Sequence, residues 1–399
     1  MNGLHLIGDL SDCRCDSQRL FDGEGFKGKC IAMVNASGLT VMDATFKQFD
    51  NSGFTGTIVL AESHLAIHTW PETNGLTLDV YVCNYSADNS IKAQQLFDAV
   101  VDYFQPDEVA KHVIDRGEHM LTEPLNDSIG FYVKASRQIG EWRTKYQKIA
   151  IYDTPHYGKI FRLDDYNMTS EREEFVYHEN LIHPALTAHS APKNVLIIGG
   201  GDGGSSEEAL KHPSVERVTM VEIDEDVIKV AKVHFQAVHH GVFDNPRLRV
   251  IVDDGMRFIR ETEEKFDLIA LDLNDPVGPA APLYSVDFFR QCREALTPDG
   301  ALTLHIGSPT ADPERVSELA QRLNSVFRIV RPSTMYIPLY GALWALAVCS
   351  DQLDPKAFTA DEIDARIKAR NLQQLQYYNG ESHLGVFALP NFVRDLVRA

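Results

Sequence analysis

From residue 193 onward, short runs of apolar residues alternate with stretches whose apolar residues recur at helical spacing. Buried strands are predicted at Val195–Ile198, Arg217–Ile223, Leu248–Val252, Phe266–Leu271 and Ala301–Ile306, with helices near Ser206–Lys211, Asp226–Phe235 and Val286–Ala295. Continuous apolar strands separated by helices are typical of a parallel sheet that is covered on both faces. We therefore predict a doubly wound α/β domain over residues 191–399.

The first 120 residues show a different pattern. Two strands, Thr55–Leu60 and Leu76–Cys83, alternate roughly between apolar and polar residues. The segment Ser90–Phe104 is predicted to be a helix capped by Ser90. Its apolar residues form one stripe, as expected of a helix packed on a sheet, and they are Ala93, Leu96, Phe97, Val100, Val101 and Phe104. We predict a small α+β sandwich domain over residues 1–120.

Residues 121–190 are predicted to join the two domains. The polar segment Ile114–Gly130 lacks periodicity, which places the boundary near residue 120. Strands at Tyr146–Tyr152 and Gly158–Leu163 indicate a small antiparallel β subdomain. A helix is predicted at Glu171–His183, with Thr169 or Ser170 as its cap.

Charge and cysteine content narrow the classes of partner. The 57 acidic and 38 basic side chains leave a formal charge of −19, which disfavours nucleic acid and anionic membranes and suits a cationic substrate. No apolar run approaches the roughly 20 residues of a membrane helix, and no signal peptide opens the chain. The six cysteines have no disulfide or zinc spacing, so a reduced, cytoplasmic setting is expected.

The strand at Val195–Ile198 runs directly into a glycine-rich turn, and together they read LIIGGGDGG over residues 196–204. Gly199, Gly201 and Gly204 have the spacing of a nucleotide-binding loop. Asp202 within that loop would repel a pyrophosphate and attract a cation. A nucleoside with positive charge, such as a sulfonium derivative of S-adenosylmethionine, therefore fits better than NAD, and a dehydrogenase is disfavoured.

Acidic residues stand at the carboxyl ends of the predicted parallel strands, where doubly wound sheets bind ligands. No lysine or arginine lies beside them in the sequence, so a solvated surface does not explain the set well. Glu222 follows the strand after the glycine loop, where an acid bonds ribose hydroxyls. The five acidic residues are Asp202, Glu222, Asp254, Asp272 and Asp275.

A second polar cluster lies in Ala61–Glu72, which reads AESHLAIHTWPE and connects the two strands of the first domain. Ser63 is a candidate nucleophile, and His64 and His68 are candidate bases beside it. Cys83 is a second candidate reactive group. Serine–histidine clusters are also common on ordinary polar surfaces, so the residue types alone leave both interpretations open.

The first domain resembles the pyruvoyl-dependent S-adenosylmethionine decarboxylases of the short prokaryotic type. The likeness covers nearly all of residues 1–118. It includes His5-Leu6, Ala36-Ser37-Gly38, Thr45-Phe46, Phe49, Glu62-Ser63-His64-Leu65, His68-Thr69-Trp70-Pro71-Glu72 and Cys83.

This resemblance implies self-cleavage between Glu62 and Ser63. Attack of the Ser63 hydroxyl on the Glu62 carbonyl would form an ester, and β-elimination would leave a covalent pyruvoyl cofactor at position 63, with His68 assisting. The pyruvoyl carbonyl would form a Schiff base with the substrate amine and act as an electron sink, and Cys83 would return a proton. The substrate would contact Phe49, which stacks adenine opposite His68, together with Leu65, Trp70 and Glu72. Thr55 departs from the serine of the family, and no metal is expected.

From about residue 130 the chain resembles the spermidine synthases, aminopropyltransferases with a Rossmann-like, methyltransferase-like fold. The matching motifs are Lys145-Tyr146-Gln147, Tyr157-Gly158-Lys159, Glu174-Phe175, Tyr177, Glu179, the GGGDGG loop, Glu222-Ile223-Asp224-Glu225-Asp226, Asp254-Gly255, Asp275 to Ala280 and Tyr377-Tyr378-Asn379.

The second resemblance implies that a diamine nitrogen attacks the methylene carbon beside the sulfonium, with Asp272 as base and Tyr177 nearby. Gln147, Asp202 and Asp275 would hold amines, Glu222 the ribose and Asp254 the adenine amino group. His178 and Tyr340 complete the implied substrate site. Several positions around the amine pocket depart from the family, and these are Met168, Leu273, Asn274, His305 to Ser308 and the shortened run Tyr340-Gly341-Ala342.

The two halves together predict a bifunctional enzyme of spermidine biosynthesis. The first would decarboxylate S-adenosylmethionine, and the second would transfer the aminopropyl group of the product to putrescine. Three alternatives stay open: decarboxylation of ornithine or arginine, transfer to another amine, and a non-catalytic regulatory partner. The resemblance to the decarboxylases also implies at least a homodimer.

Overall fold

The computed structural model describes residues 3–50, 52–84, 88–116, 119–276 and 278–398. The chain divides into two compact units, Met1–His119 and Met120–Ala399, and each is described by itself. Two parts of the predictions lie outside the described residues: positions 117–118 of the predicted polar linker, and Val277 of the motif that begins at Asp275.

The first unit is a six-stranded antiparallel sheet with the strand order β2-β3-β4-β5-β1-β6. Its strands are β1 (Gly3–Cys13), β2 (Val41–Gln48), β3 (Phe54–Leu60), β4 (Ser63–Trp70), β5 (Gly75–Cys83) and β6 (Pro106–Asp115). Its helices are α1 (Gln18–Phe21), α2 (Gly23–Ala36) and α3 (Ser90–Phe104). The predicted helix at Ser90–Phe104 and both predicted strands are confirmed.

Alternation along the strands decides which side chains α2 and α3 cover. In β4, Leu65, Ile67 and Thr69 are buried against the helices, whereas His64 and His68 point to the other face. We call this other face of the sheet, which lies away from α2 and α3, the open face. The two histidines therefore remain accessible beside a fully packed core.

Two local predictions in this unit are wrong. The segment Ala61–Glu72 is not a connection between strands, because most of it forms the central strand β4. Ser90 does not cap α3: Asn89 occupies the cap position without a side-chain bond, and the Ser90 N–H donates to Asp88 instead. The polar residues of this segment led to the prediction of a connection, although the inner face of β4 is apolar.

The second unit begins with two small antiparallel sheets. One pairs β7 (His119–Pro124) with β8 (Gly130–Ala135), and the other has the order β12-β11-β10-β9. The strands of the latter are β9 (Arg137–Arg143), β10 (Lys148–Thr154), β11 (Gly158–Leu163) and β12 (Tyr166–Ser170). The predicted antiparallel subdomain is thus present.

Helix α4 (Phe175–Ala188) follows, and it begins later than predicted. Thr169 and Ser170 do not cap it, because both belong to β12, and Glu174 holds the cap position without a side-chain bond. Nearly every residue of α4 is buried, so packing on both sides stabilises this helix rather than a cap.

A seven-stranded sheet forms the body of the second unit, with the order β15-β14-β13-β16-β17-β19-β18. Its strands are β13 (Asn194–Gly199), β14 (Arg217–Glu222), β15 (Leu248–Val252), β16 (Phe266–Asp272), β17 (Leu296–Gly307), β18 (Ile329–Ile337) and β19 (Ala342–Ser350). The first five are parallel, as predicted. The apolar pattern did not reveal β18 and β19, and β19 pairs antiparallel with both β17 and β18.

Both faces of this sheet are covered, which explains its continuous apolar strands. In β13, Val195 and Ile197 belong to one core cluster, while Leu196 and Ile198 belong to the other. The remaining helices are α5 (Gly204–Leu210), α6 (Glu225–His234), α7 (Gln236–His239), α8 (Gly255–Glu261), α9 (Val286–Ala295), α10 (Pro313–Asn324), α11 (Ala360–Ala369), α12 (Gly380–Val386) and α13 (Asn391–Val397). Among the described residues, no helix has the length and apolar character that a bilayer crossing requires.

Candidate active sites

The glycine loop after β13 is shaped by close approach. Gly200 and Gly203 have positive φ angles of 66° and 88°, which glycine adopts at little cost. The Gly200 N–H donates to the carbonyl oxygen of Asp272 at 2.9 Å. A Cβ atom at Gly204 would lie 2.3 Å from Cε1 of His178. The loop therefore sits against both the end of β16 and helix α4.

His178 is the centre of the site at this end of the sheet. Its Nδ1 lies 2.7 Å from Oε2 of Glu174, and its Nε2 lies 3.5 Å from Oδ2 of Asp202 and 3.9 Å from Oδ2 of Asp272. The imidazole is almost entirely buried. One ring thus lies between three carboxylates, which belong to the cap position of α4, the glycine loop and β16.

These contacts shift the protonation of the whole group. Burial alone would lower the pKa of His178, but the Asp202 and Glu174 carboxylates raise it well above its usual range. Burial favours the neutral acid at Asp202, yet the His178 imidazolium lowers the pKa of that carboxyl. Burial raises the pKa of Asp272 to about 6, against the opposing effect of His178. Three carboxylates around one imidazolium leave a negative site.

Asp272 is held in place by the Ser205 hydroxyl, which donates to its Oδ2 at 2.7 Å. Tyr177 is a second neighbour of this carboxylate. Tyr177 is buried, which raises its pKa well above the usual value and keeps its proton in place. Its ring makes an edge contact with Tyr340, so both predicted tyrosines line the space next to Asp272.

The neighbouring strand ends carry the predicted nucleoside contacts. Glu222 accepts the Asp224 N–H at 2.8 Å, and burial raises its pKa to about 7. Gln147 donates its side-chain amide to Asp224 at 3.1 Å, beside Glu222. Asp254 caps α8 by accepting the Met256 N–H at 2.8 Å. These acids lie at the carboxyl ends of β14 and β15, as predicted.

Asp275 has a basic neighbour in space that its neighbours in the sequence do not reveal. Arg315 on α10 contacts its Oδ2 at 2.7 Å, although the two residues are 40 positions apart. On the other side of Asp275, His305 Nδ1 is buried, has no hydrogen-bond partner and lies 4.0 Å from Oδ1. His305 Nε2 faces the Leu273 carbonyl and the Tyr284 hydroxyl.

One atom each of His178, Asp202 and Asp272 lies within 4.8 Å of the other two, which is a spacing that a metal ion can use. The raised pKa of His178 favours its protonated form. The resulting imidazolium supplies the positive charge that the carboxylates attract.

In the first unit, the residues of the predicted cleavage point and Cys83 lie together at the start of β4. The Glu62 carbonyl accepts the Cys83 N–H at 2.9 Å. Ser63 Oγ lies 3.2 Å from Nδ1 of His64, and Ser63 has a φ of 155°, which non-glycine residues adopt only with strain. The predicted cleavage point, its nucleophile and Cys83 therefore lie together.

His68 is not brought to Ser63. The two are five residues apart on one extended strand, which separates them by roughly 17 Å at about 3.4 Å per residue. Within one chain, the predicted assistance of His68 in cleavage is therefore not supported by contact. His68 instead lies beside Phe49 and Trp70, with ring centroids 5.4 Å and 4.2 Å away.

Two predicted nucleoside contacts need revision. A base stacked between two rings needs them about 7 Å apart, since each contact takes about 3.5 Å, so adenine does not fit between Phe49 and His68 as they stand. The Leu65 side chain is fully buried in the core beneath the sheet, which leaves only its backbone for a ligand. Glu72 is exposed at the edge of this group, near the Ser52 hydroxyl.

Sequence reasoning missed several residues of these sites. Ser205, which binds Asp272, directly follows the glycine loop, and this position in the sequence could have identified it as a site residue. Asp79, which lies 3.3 Å from His64, shares the odd-numbered face of β5 with Cys83 and was detectable from alternation. Arg315 reaches Asp275 only through the fold, so no local pattern marks it.

Comparison with known proteins agrees with the division of the chain into two units. Residues 174–362 match the family described as the spermine/spermidine synthase domain, and residues 4–117 match the S-adenosylmethionine decarboxylase family. A polyamine aminopropyltransferase of Nitrosomonas europaea is 44% identical over 281 residues, which are 70% of this chain and 86% of that protein. One of Hyperthermus butylicus is 41% identical over 256 residues, 64% of this chain and 84% of that protein.

Solved structures show the same likeness. A spermidine synthase solved with the transition state analogue AdoDATO has a TM-score of 0.66 and 34% identity, covering 70% of this chain and 94% of its own. The spermidine synthase from Thermotoga maritima has a TM-score of 0.65 and 35% identity, covering 71% and 95%. The chain therefore belongs to the spermidine synthase family of polyamine aminopropyltransferases, and its first 120 residues carry an S-adenosylmethionine decarboxylase domain.

Proposed function

We propose that this chain is a bifunctional enzyme of spermidine biosynthesis, which decarboxylates S-adenosylmethionine in its first unit and transfers the aminopropyl group in its second. The transfer reaction is supported mainly by the group of acidic residues around Asp272. They lie at the switch point of the parallel sheet, where the strand order reverses, in a chain that belongs to the aminopropyltransferase family. The adjacent decarboxylase domain would make the substrate that this group consumes.

In the second unit, Asp202 and Glu222 flank the nucleoside loop, and the negative site favours a sulfonium with its attached amine. The attacking amine must lose a proton, and Asp272 accepts it, held by Ser205 and with Tyr177 beside it. The amine nitrogen forms a bond to the methylene carbon, the carbon–sulfur bond breaks, and neutral methylthioadenosine leaves. Access of water to the base is limited because Tyr177 is buried and Tyr340 is half-buried beside it.

Putrescine is the acceptor that we propose first, since the acids at Asp202 and Asp275 suit the two ends of a short diamine. Arg315 already pairs with Asp275, however, and His305 with its unpartnered Nδ1 stands in the same corner. This arrangement favours a second candidate for the acceptor, a diamine that differs in length from putrescine. A panel of diamines from three to five carbons separates the two by their kcat/KM values.

In the first unit, the residues around Glu62 and Ser63 fit the formation of a pyruvoyl group. Ser63 is strained, its hydroxyl has a base beside it, and the Glu62 carbonyl is held by an N–H. A pyruvoyl group supplies a carbonyl that takes up the electron pair freed by loss of carbon dioxide. Cys83 would then hold the proton returned to carbon, since its N–H donates to the Glu62 carbonyl next to the cleavage point.

Two variants test the proposal. Ser63→Ala should abolish spermidine formation from S-adenosylmethionine and putrescine, yet leave transfer from supplied decarboxylated S-adenosylmethionine within two-fold. Asp272→Asn should do the opposite, releasing carbon dioxide normally while losing transfer by about 100-fold or more. If Ser63→Ala still releases carbon dioxide, the first unit does not work as proposed. If Asp272→Asn transfers normally, the base is elsewhere.

A further inference from the structure

Helix α4, which carries two residues of the transfer site, is held on another side by a segment near the end of the chain. Glu179 of α4 is fully buried. Its Oε1 accepts the N–H of Gln376 at 2.7 Å, and its Oε2 accepts those of Tyr377 at 3.0 Å and Tyr378 at 2.7 Å. Three N–H groups on one buried carboxylate stabilise its charge and fix this stretch of backbone against α4.

Two arginines of α11 bind the carbonyl groups at the end of α4. An α-helix leaves its last four carbonyl oxygens without partners inside the helix. Arg366 donates to the carbonyl oxygens of Thr187 at 2.8 Å and Ala188 at 2.6 Å, and Arg370 donates to that of Leu186 at 2.6 Å. Positive side chains at this end also suit the helix dipole. The end of α4 is therefore bound by side chains that lie 178–184 positions later in the chain.

A line of buried side chains continues from Arg370 through α4 to α5. Arg370 Nη1 lies 3.4 Å from Nδ1 of His212, and His212 Nε2 lies 3.0 Å from Nδ1 of His183. His183 Nε2 lies 2.9 Å from Oε2 of Glu208 on α5. Because a guanidinium only donates and a carboxylate only accepts, both rings carry their proton on Nε2. The line ties α11 to α4 and to α5, whose Ser205 binds the proposed base.

These contacts bear on the transfer site because Glu179 and His178 are neighbours in α4. Successive residues of an α-helix are turned by about 100°, so the two side chains point in different directions from one rigid element. A shift of α4 that loosens Glu179 would also move His178, whose Nε2 lies 3.5 Å from Asp202 and 3.9 Å from Asp272. A misplacement of about 1 Å can lower a rate by about 100-fold.

We propose that Glu179 and Arg370 are positioning residues for His178, and that the segment from α11 to residue 378 is thereby required for the geometry of the transfer site. The two residues act through α4 and not on the substrate. The inference rests on the proposed transfer with Asp272 as base. Glu179 binds backbone that lies 197–199 positions away, so only the fold brings this support to the site.

Two variants remove the supports separately. Glu179→Gln and Arg370→Met should each lower kcat/KM for transfer from supplied decarboxylated S-adenosylmethionine to putrescine by about 100-fold. Glu381→Gln on α12 and Arg394→Met on α13 change exposed residues of the same part of the chain. These matched controls should keep kcat/KM within two-fold of the wild type. Activity of the first pair within two-fold of the controls would overturn the proposal.

Binding of methylthioadenosine separates misplacement of α4 from loss of the fold. The expected nucleoside contacts, Glu222 and Asp254, lie at the ends of β14 and β15 and not on α4. The Kd measured by calorimetry should therefore stay within about three-fold in both variants, while transfer falls. Arg370→Lys, which keeps the charge, should recover at least about ten-fold of the loss. Parallel loss of nucleoside binding and transfer would show a general support of the fold instead, and would overturn the proposal.

The pH profile provides a second readout that a purely structural role would not change. His178 is faced by three carboxylates, those of Glu174, Asp202 and Asp272. Burial raises the pKa of Asp272 to about 6, and His178 opposes this rise, so a displaced ring should move the acid limb of kcat/KM to higher pH. An acid limb that stays at the wild-type pH in both variants would contradict the positioning role. Absence of transfer in the wild type would instead reject the proposed function.

Discussion

At the scale of single residues, burial and charge act in opposite directions on the same carboxylates. Asp202 keeps its charge because His178 faces it, whereas Asp272, at 3.9 Å, is dominated by its burial. The pKa of Asp202 is therefore lowered below its usual value, whereas that of Asp272 is raised to about 6. This separation lets one act as a permanent anion and the other as a base.

The pKa of Asp272, raised to about 6, predicts the pH dependence of transfer. An aspartate accepts a proton only when ionised, so its contribution is present above pH 6 and is lost as the pH falls through that value. The ratio of kcat/KM between wild type and Asp272→Asn should fall about ten-fold per pH unit below 6. Protonation of the diamine cancels in this ratio. A ratio that stays constant down to pH 5 would exclude Asp272 as the base.

Gly204 makes a second prediction at this scale. A methyl group there would lie 2.3 Å from the His178 ring, so Gly204→Ala must displace either the loop or the imidazole. We expect transfer to fall by about 100-fold and stability by about 1–3 kcal/mol. Gly385→Ala on α12, where a Cβ meets nothing within 4 Å, is the control. Equal activity of the two variants would mean that the loop adapts.

At the scale of elements, cleavage before β4 would not release either fragment. The part before residue 63 supplies β1, β2 and β3, and the part after it supplies β4, β5 and β6. Strand β1 lies between β5 and β6, and β3 is paired with β4. The fragments therefore share three strand pairings and one hydrophobic core.

We therefore predict that the two fragments copurify after cleavage. A tag on the first fragment should retain the second through size exclusion in native buffer and lose it only in denaturant. The unfolding midpoint of the cleaved unit should stay within a few degrees of that of Ser63→Ala. Separation of the fragments in native buffer would contradict the interleaved sheet.

At the scale of the whole molecule, the charge of −19 should matter for a dicationic acceptor. Salt shortens the range of this attraction, from about 10 Å at 0.1 M to about 3 Å at 1 M. We predict that the KM for putrescine rises several-fold from low to high salt. Inhibition by methylthioadenosine, which is neutral, should change less than two-fold. Equal salt effects on both would show that the excess charge does not attract the acceptor.

The sequence by itself determined the parallel strands, the glycine loop and the acids at the strand ends, because apolar runs, glycine spacing and charge are local properties. It also determined the strand Gly158–Leu163 and the helix Ser90–Phe104, whose bounds the structure reproduces. These elements carry enough information in neighbouring residues to be predicted without knowing what they pack against.

Only the tertiary structure decided which side chains meet. The contacts of His178 with three carboxylates, the pairing of Arg315 with Asp275, and the contact of His64 with Asp79 each join residues from separate elements. Strand β4 also became evident only in the tertiary structure. Its polar residues gave no strand pattern in the sequence, and its pairing with β3 and β5 defines it. Protonation depends on burial and on neighbours in space, and neither can be read from positions along a chain.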